Sequence, residues 1–389
     1  MTQQYNVNSK PSITAAIILG TVGVFSFIVQ PGLVQGFVSE LGLDEVAANN
    51  LAFSEMLGVA IAAVLIALLT RVVNWRHLLV VSIVLAAIGN LLSGFTSGID
   101  ALKPLRFVTG LGEGGIIGLS FTYIGLTAKP ERNLALYLVL LLSYGALGLW
   151  LMPQAFATIG LKGIFIAWGV LTALSLLLVK STPLSSDSRE EISPTAAQLG
   201  LGFLAFALIG VLIYNIAIGI AWANLFLIGM DIRPDVQAIA NALLLAQFVA
   251  IPGALLAALM SDKLGRWLPI IVGILGGAAF IALLMIKSGY SIFIIAVCGF
   301  NFMWNMTLPF ILAAVNDMDE KSRMVTPSIS MQMIGIGFAP LFAGLLLGEG
   351  GGFKAIESMT VKLLVLSFII LAICIFAHQK ALKAKKAGA

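Results

Sequence analysis

Three charged side chains of this 389-residue chain fall well inside long apolar runs: Glu55, Arg106 and Glu113. Ionic groups are costly in hydrocarbon, so each marks a functional position by default. A carboxyl there can take up a proton from one aqueous side and release it to the other. A guanidinium can hold an anion in its planar fork, reach the interface on its long stem, or gate a nearby carboxyl electrostatically. Arg106 and Glu113 are seven residues apart, on one helical face but two turns from each other, too far for a simple pair. Glu113 sits below that cation within a glycine-rich run and is the first candidate for a coupling proton. Glu55, in the run Asn49-Asn50-Leu-Ala-Phe-Ser54-Glu55, is the second. A structural, hydrogen-bonded carboxyl is the competing reading for both.

These residues need apolar helices to position them, and the composition supplies them. The chain is 60% hydrophobic and 10% charged, against roughly 25% charged residues in soluble domains. About 20 apolar residues cross a bilayer core as a helix. The sequence predicts spans at 12–38, 45–70, 78–97, 101–127, 133–157, 162–179, 197–228, 235–260, 267–287, 290–315, 324–347 and 359–377. Glu55 and Glu113 then lie ~16–18 Å below the outer surface and Arg106 roughly 7–8 Å. With a cytoplasmic N-terminus, fifteen of the 22 Lys and Arg fall on inner segments and seven on outer ones. That bias predicts both termini in the cytoplasm. The first apolar run follows a polar start and is too long for a signal-peptide core, so it reads as a retained helix. Net charge is +4 and comes from the loops and tail, which points to anionic lipid as the contact, with no nucleic acid expected. Cys298 and Cys374 both fall inside spans, so no disulfide framework is expected.

One long polar stretch, KSTPLSSDSREEISPT at 180–195, divides the apolar runs into two sets of six. Its Ser, Pro and mixed charge suit a linker. The expected organisation is a first six-helix bundle over 1–180, a cytoplasmic linker over 181–196, and a second bundle with a basic tail over 197–389. In both halves the loop after the second span is short and basic, 71–76 and 261–266. Matching halves are the mark of a duplicated transporter, with its site near the midplane between them.

The loop Ser261-Asp262-Lys263-Leu264-Gly265-Arg266 resembles the GxLaDrxGrr signature of the major facilitator superfamily. Arg106-Phe-Val-Thr-Gly110-Leu-Gly112-Glu113-Gly114 resembles that superfamily's RxxxGxGxG pattern, in which small residues let helices approach closely. The resemblance implies an all-α membrane protein of twelve transmembrane helices in two six-helix bundles. It also implies a cytoplasmic gate using Asp262, Gly265 and Arg266. Two departures stand out. The first-half loop, Thr70-Arg71-Val-Val-Asn74-Trp75-Arg76-His77, has neither the Gly nor the Asp, so a latch there must be built differently or be weaker. Span 5 offers only Gly145, Gly148 and Pro153 in place of the antiporter signature GxxxGPxxGG.

Neutral polar and aromatic side chains complete the candidates for substrate contact, beside Arg106 itself. Span 1 supplies Gln30 and Gln35, with Pro31 freeing a backbone carbonyl, and span 5 supplies Tyr144. The second half has no deep ionisable residue on this reading and offers Asn215, Trp222, Asn301, Trp304 and Asn305. Aromatic packing is the competing reading for these, although Asn301 and Asn305 share one face with Trp304 close by. An acid and a base in one half with neutral aromatic walls in the other suit a proton and a small organic anion. The expected activity is secondary transport, a proton-coupled symport of a carboxylate or aromatic acid by alternating access. The alternative is a proton-linked exporter of amphipathic compounds, drugs or lipids. An enzyme is not expected, because His77 and His378 sit at span ends and no phosphate-binding Gly-rich loop occurs. No cofactor or metal is expected, a sodium site remains open, and the chain reads as a monomer among lipids, with a bacterial inner membrane as its place.

Overall fold

The computed structural model describes residues 6–70, 72–96, 98–183, 198–260, 265–286, 289–319 and 324–387. Among these residues the regular structure is entirely helical, without strands. Asp262 and most of the expected linker lie outside the described residues.

The first span is where sequence and structure differ most. It is not one helix but three: α1 (Lys10–Val22), α2 (Phe25–Ile28) and α3 (Gln30–Leu41). Val24 (φ −115°, ψ 16°) and Val29 (φ −108°, ψ 15°) leave helical geometry. Pro31 has no N–H, and its ring crowds the carbonyl of the preceding turn, which accounts for the break just ahead of it. There follow α4 (Glu45–Leu69), α5 (Trp75–Phe95), α6 (Ile99–Gly125) and α7 (Pro130–Leu174), the last continued by a 3-10 turn at Ser175–Ser181. Asp44 starts α4 by accepting from the Ala47 N–H at 2.7 Å, and Asn74 starts α5 by accepting from that of Arg76 at 2.9 Å. The expected spans 5 and 6 run together as α7 and turn at Gly160, whose φ of 65° glycine adopts without strain. The second half holds α8 (Leu201–Ile232), α9 (Val236–Met260), α10 (Trp267–Leu284), α11 (Tyr290–Asn316), α12 (Val325–Gly348) and α13 (Gly352–Ala387). Ten of these helical stretches are each long and apolar enough to cross a membrane. The broken first span and the division of α7 at Gly160 bring the crossings to twelve.

The chain divides into two compact units, Met1–Asp187 with Pro234–Leu244 and Ser188–Arg233 with Leu245–Ala389. In the first unit α6 is central and packs on α4, α5 and α1. In the second, α8 packs on α12, α13 and α11, and α10 packs on α11 and α13. Exposed positions carry Leu65, Leu92, Leu147, Ile295, Leu345 and Ile373, a surface as apolar as the lipid tails it meets.

The glycines of α6 set how near its neighbours come. A Cβ on Gly110 would run into the carbonyl oxygen of Glu55 on α4, and one on Gly112 would strike the backbone of Ala86 on α5. Gly58 of α4 faces the backbone of α6 in the same way, with Leu111 N at 2.7 Å from an added Cβ. This seam holds Glu55 and Glu113 in register. Gly110→Leu is therefore expected to cost ~3 kcal/mol or more, since neither backbone can yield. Thermal unfolding in detergent should show a clear drop in Tm. Gly277→Ala, with its nearest neighbour 3.8 Å away, should melt like the parent chain.

Candidate functional site

Arg106 anchors the polar interior of the first unit. Its side chain is 0% exposed, on α6 between α4 and α5. Nη1 donates to Glu55 Oε1 at 3.1 Å, forming a buried ion pair. Nη2 donates to Asn90 Oδ1 at 3.0 Å, Ser93 Oγ at 2.7 Å, Thr109 Oγ1 at 3.0 Å and the Gly89 carbonyl at 3.3 Å. Nε donates to Ser93 Oγ at 3.1 Å. Phe165 from α7 lies under the guanidinium, 4.2 Å from Cζ to the ring centroid, a cation–π contact strengthened by desolvation.

The hydroxyls around Arg106 can only accept, because their protons are already committed. Ser93 Oγ donates to the Gly89 carbonyl at 2.6 Å and Thr109 Oγ1 to the Leu105 carbonyl at 2.8 Å. Each is a bond to the residue four earlier in the same helix, so the remaining lone pairs point at the cation. Removing a charge from water is tolerable when it is paired and its remaining hydrogen bonds are satisfied, and both conditions hold here.

Glu113, two turns further along α6, is 2% exposed. Its Oε2 accepts from the Ser26 hydroxyl of α2 at 2.7 Å. Beside them Tyr144 of α7 donates to the Phe25 carbonyl at 3.2 Å, and the two rings lie 4.8 Å apart. A carbonyl released by the break in the first span is thus taken up by a tyrosine. Gln30 is buried at the start of α3, with its Nε2 lacking a hydrogen-bond partner, while Gln35 is half-buried. Of the residues expected in the first half, the structure joins Glu55 with Arg106 in one network and brings Glu113 and Tyr144 each into contact with the α2 turn, through Ser26 and the Phe25 carbonyl.

In the second unit two of the expected residues pack on each other. Trp222 and Trp304 meet with ring centroids 5.7 Å apart, and Phe300 lies 6.3 Å from Trp304. Asn215 donates to the Val211 carbonyl at 2.8 Å, Asn301 to Val297 at 2.9 Å and Asn305 to Asn301 at 3.0 Å. Each amide is anchored on its own helix through nitrogen. The Oδ1 atoms of Asn215 and Asn301 are buried without a protein donor.

At the expected cytoplasmic ends, Gly265 has φ 61°, the turn conformation its position requires. Arg266 reaches Asp317, at the end of α11, with Nε at 3.2 Å from Oδ2. The first half, lacking Gly and Asp in its loop, has another arrangement. There Arg76 donates to the Thr182 carbonyl at 2.7 Å and the Lys180 carbonyl at 3.0 Å, holding the end of the 3-10 turn.

Sequence reasoning missed Ser26, Asn90, Ser93, Thr109 and Phe165. Polar residues at i, i+3 in apolar helices, Asn90 with Ser93 and Arg106 with Thr109, were the available signal. It also took the second half to lack a deep ionisable residue, which the structure corrects. Glu357 is 2% exposed. It lies inside α13, because that helix begins at Gly352 and not at 359.

A family model described as the Major Facilitator Superfamily matches residues 15–326. The crystal structure of a D-xylose–proton symporter superposes with a TM-score of 0.74 at 16% identity, covering 93% of this chain and 96% of that one. The xylose transporter XylE from E. coli, in an inward-open conformation, gives a TM-score of 0.70 at 16% identity over 91% and 94%. At such identities these likenesses speak for the fold alone. A putative niacin/nicotinamide transporter, NiaP of Bacillus subtilis (strain 168), is 29% identical over 130 residues. That match takes in 33% of this chain and 31% of the relative, so this chain spans about a third of that relative's length. With the family model running from the first span into the eleventh and the fold shared nearly end to end, the chain belongs to the Major Facilitator Superfamily of membrane transporters.

Proposed function

We propose that this transporter is a proton-coupled symporter of a small organic anion, a carboxylate or aromatic acid, with Glu113 carrying the proton. The observation that carries the reading is a charge count. Two buried carboxyls, Glu55 and Glu113, share the interior of one unit with Arg106, the only fully buried Lys or Arg among the described residues. One guanidinium balances one carboxylate, and Glu55 is the one it touches. A second bare carboxylate in that setting would be uncompensated, so Glu113 is neutral when it holds a proton. That proton is the natural coupling species, with sodium as the alternative ion.

Arg106 gives its donors to protein acceptors, so its role on this reading is the conformational switch and not the substrate. The substrate is assigned to the remaining polar and aromatic groups. In the first unit these are Gln30, whose Nε2 is an idle donor suited to a carboxylate, with Gln35 and Tyr144. In the second they are the idle amide oxygens of Asn215 and Asn301, with Asn305, Trp222 and Trp304 for a flat ring. A pyridine bearing a carboxyl or amide group fits that description, in keeping with the niacin and nicotinamide for which the B. subtilis relative is named. Asp262, Gly265 and Arg266 are proposed as the cytoplasmic gate. The two bundles, 1–180 and 197–389 about the 181–196 linker, are taken to alternate access as a monomer in a bacterial inner membrane, with both termini cytoplasmic.

External pH recorded over proteoliposomes tests this, with nicotinate, nicotinamide, benzoate and tetraphenylphosphonium added in turn. Alkalinisation on adding an aromatic acid is the expected result, unchanged when potassium replaces sodium. Proton release in answer to tetraphenylphosphonium would replace the symporter with an exporter of amphipathic compounds.

A further inference from the structure

The second unit leaves a gap in its own packing. Beside the first turns of α10 lies a cavity of about 220 Å³, lined by Leu256 of α9, Leu268, Pro269 and Val272 of α10, and Met306 and Phe310 of α11. Its origin lies in the helix contacts around it. A Cβ on Gly253 would stand 2.6 Å from the Phe302 carbonyl oxygen, so α9 and α11 come close at that level. One turn further along both helices, at Leu256 and Met306, the cavity begins. Met306 and Phe310 are buried and form its floor, while Leu268 and Val272 are 53% and 44% exposed and form its lips. It therefore opens sideways, on the surface that meets lipid. The space falls short of the roughly 300–1,000 Å³ usual for small-molecule sites, which also place polar groups to orient a ligand. Here all six lining side chains are apolar. This is not a second substrate site.

Two neighbours fix the level of this groove in the membrane and its charge. Trp267 opens α10 and packs on Phe368 and Phe376 of α13, with ring centroids 6.0 and 4.9 Å away. A tryptophan at a span end sits at the level of the lipid headgroups. Arg266, the residue before it, places Nε 3.2 Å from Asp317 Oδ2 and keeps its side chain 35% exposed. From that N-cap to Val272 the groove reaches roughly 9 Å into the span. An occupant must be apolar against Leu256 and Phe310 and anionic beside Arg266. We propose that the groove seats one acyl chain of an anionic phospholipid, from the leaflet on the side of the 261–266 loop, with its phosphate at Arg266. Hydrocarbon gains nothing merely by exchanging lipid tails for an apolar wall, so two other effects hold it. The chain fills a gap that the side chains leave, adding dispersion contacts on several sides at once. The phosphate meets a guanidinium, and hydrogen bonds between ionised groups are the strong ones. A seated chain joins α9 to α10 and α11 beyond the Gly253 contact, and so completes the packing of the second unit.

Native mass spectrometry of the purified full chain tests the seat, after incubation in detergent with equal amounts of phosphatidylglycerol, phosphatidylethanolamine and phosphatidylcholine. The parent chain should retain one phosphatidylglycerol in preference to the other two. Val272→Trp and Leu256→Trp fill the groove from two sides, and each should lose that bound lipid. Either one decides the matter if the other fails to fold. Leu147→Trp, at an exposed position of the first unit, should keep it. Arg266→Gln should still retain a lipid, with the preference for phosphatidylglycerol lowered about fivefold, the effect of one basic residue at an anionic surface. Retention in both tryptophan variants equal to that of the parent would overturn the seat. A parent chain that holds the three lipids equally would overturn the role of Arg266 and the anionic headgroup with it. A dimer that disappears in both tryptophan variants, with no lipid retained by the parent, would give the groove to a second copy of this chain and overturn the proposal.

Discussion

Glu113→Gln should reduce substrate-driven proton movement by about 100-fold or more while leaving the protein folded. Glutamine matches the volume of the side chain and keeps an oxygen for the Ser26 hydroxyl at the 2.7 Å position. What it loses is the ability to hold a transferable proton, and a group that acts by proton transfer is typically worth 10²–10⁴-fold. Exchange of labelled substrate across a membrane with no pH gradient separates the two possible outcomes. If the residue carries the proton, exchange persists while accumulation against a gradient is lost. If the carboxyl only props α6 against α2, exchange and accumulation fall together and the melting temperature falls with them.

The second large effect concerns the ion pair of Arg106 with Glu55. Arg106→Ala and Glu55→Gln should each abolish accumulation. Arg106→Ala should cost ~3–5 kcal/mol as well, because it strips the counter-charge from a buried partner. The combined Arg106→Met, Glu55→Leu chain should recover much of the lost thermal stability, since no lone charge remains, yet stay inactive. Arg106→Lys should not restore activity. A single ammonium cannot address Glu55, Asn90, Ser93, Thr109 and the Gly89 carbonyl together, nor lie flat on Phe165. Melting curves in detergent decide the matter. A double variant no more stable than Arg106→Ala would mean the loss comes from packing and not from an unpaired charge.

The parts of this arrangement legible in the sequence are those written by local rules. Charge confined to loops gave the span count, and the glycines at positions 110, 112 and 114 announced close packing that the α4 and α5 backbones confirm. Burial of Glu55, Arg106 and Glu113 followed from their depth in apolar runs. What stayed hidden depends on contacts between distant segments. Nothing near Ser26 says that its helix breaks two residues earlier, so its hydroxyl looked like any other. The pairing of Arg106 with Glu55, 51 positions away, needed the angle at which α4 meets α6. Phe165 is one of 23 phenylalanines, and only the turn at Gly160 brings it beneath the guanidinium. The Arg76 clamp was hidden for another reason, since its acceptors are backbone carbonyls and carry no side-chain signature. Glu357 was lost to a helix boundary, the least certain feature of any sequence reading.

The acceptor-only shell around Arg106 has one more consequence. Ser93 and Thr109 give their protons to their own helices, Asn90 turns its oxygen inward, Gly89 offers a carbonyl and Phe165 lays a ring across the base. With no protons of its own to offer, this shell is a mould for one flat cation. It is a receptor whose guest is tethered by its own side chain, and an anion entering from either side of the membrane finds no welcome there.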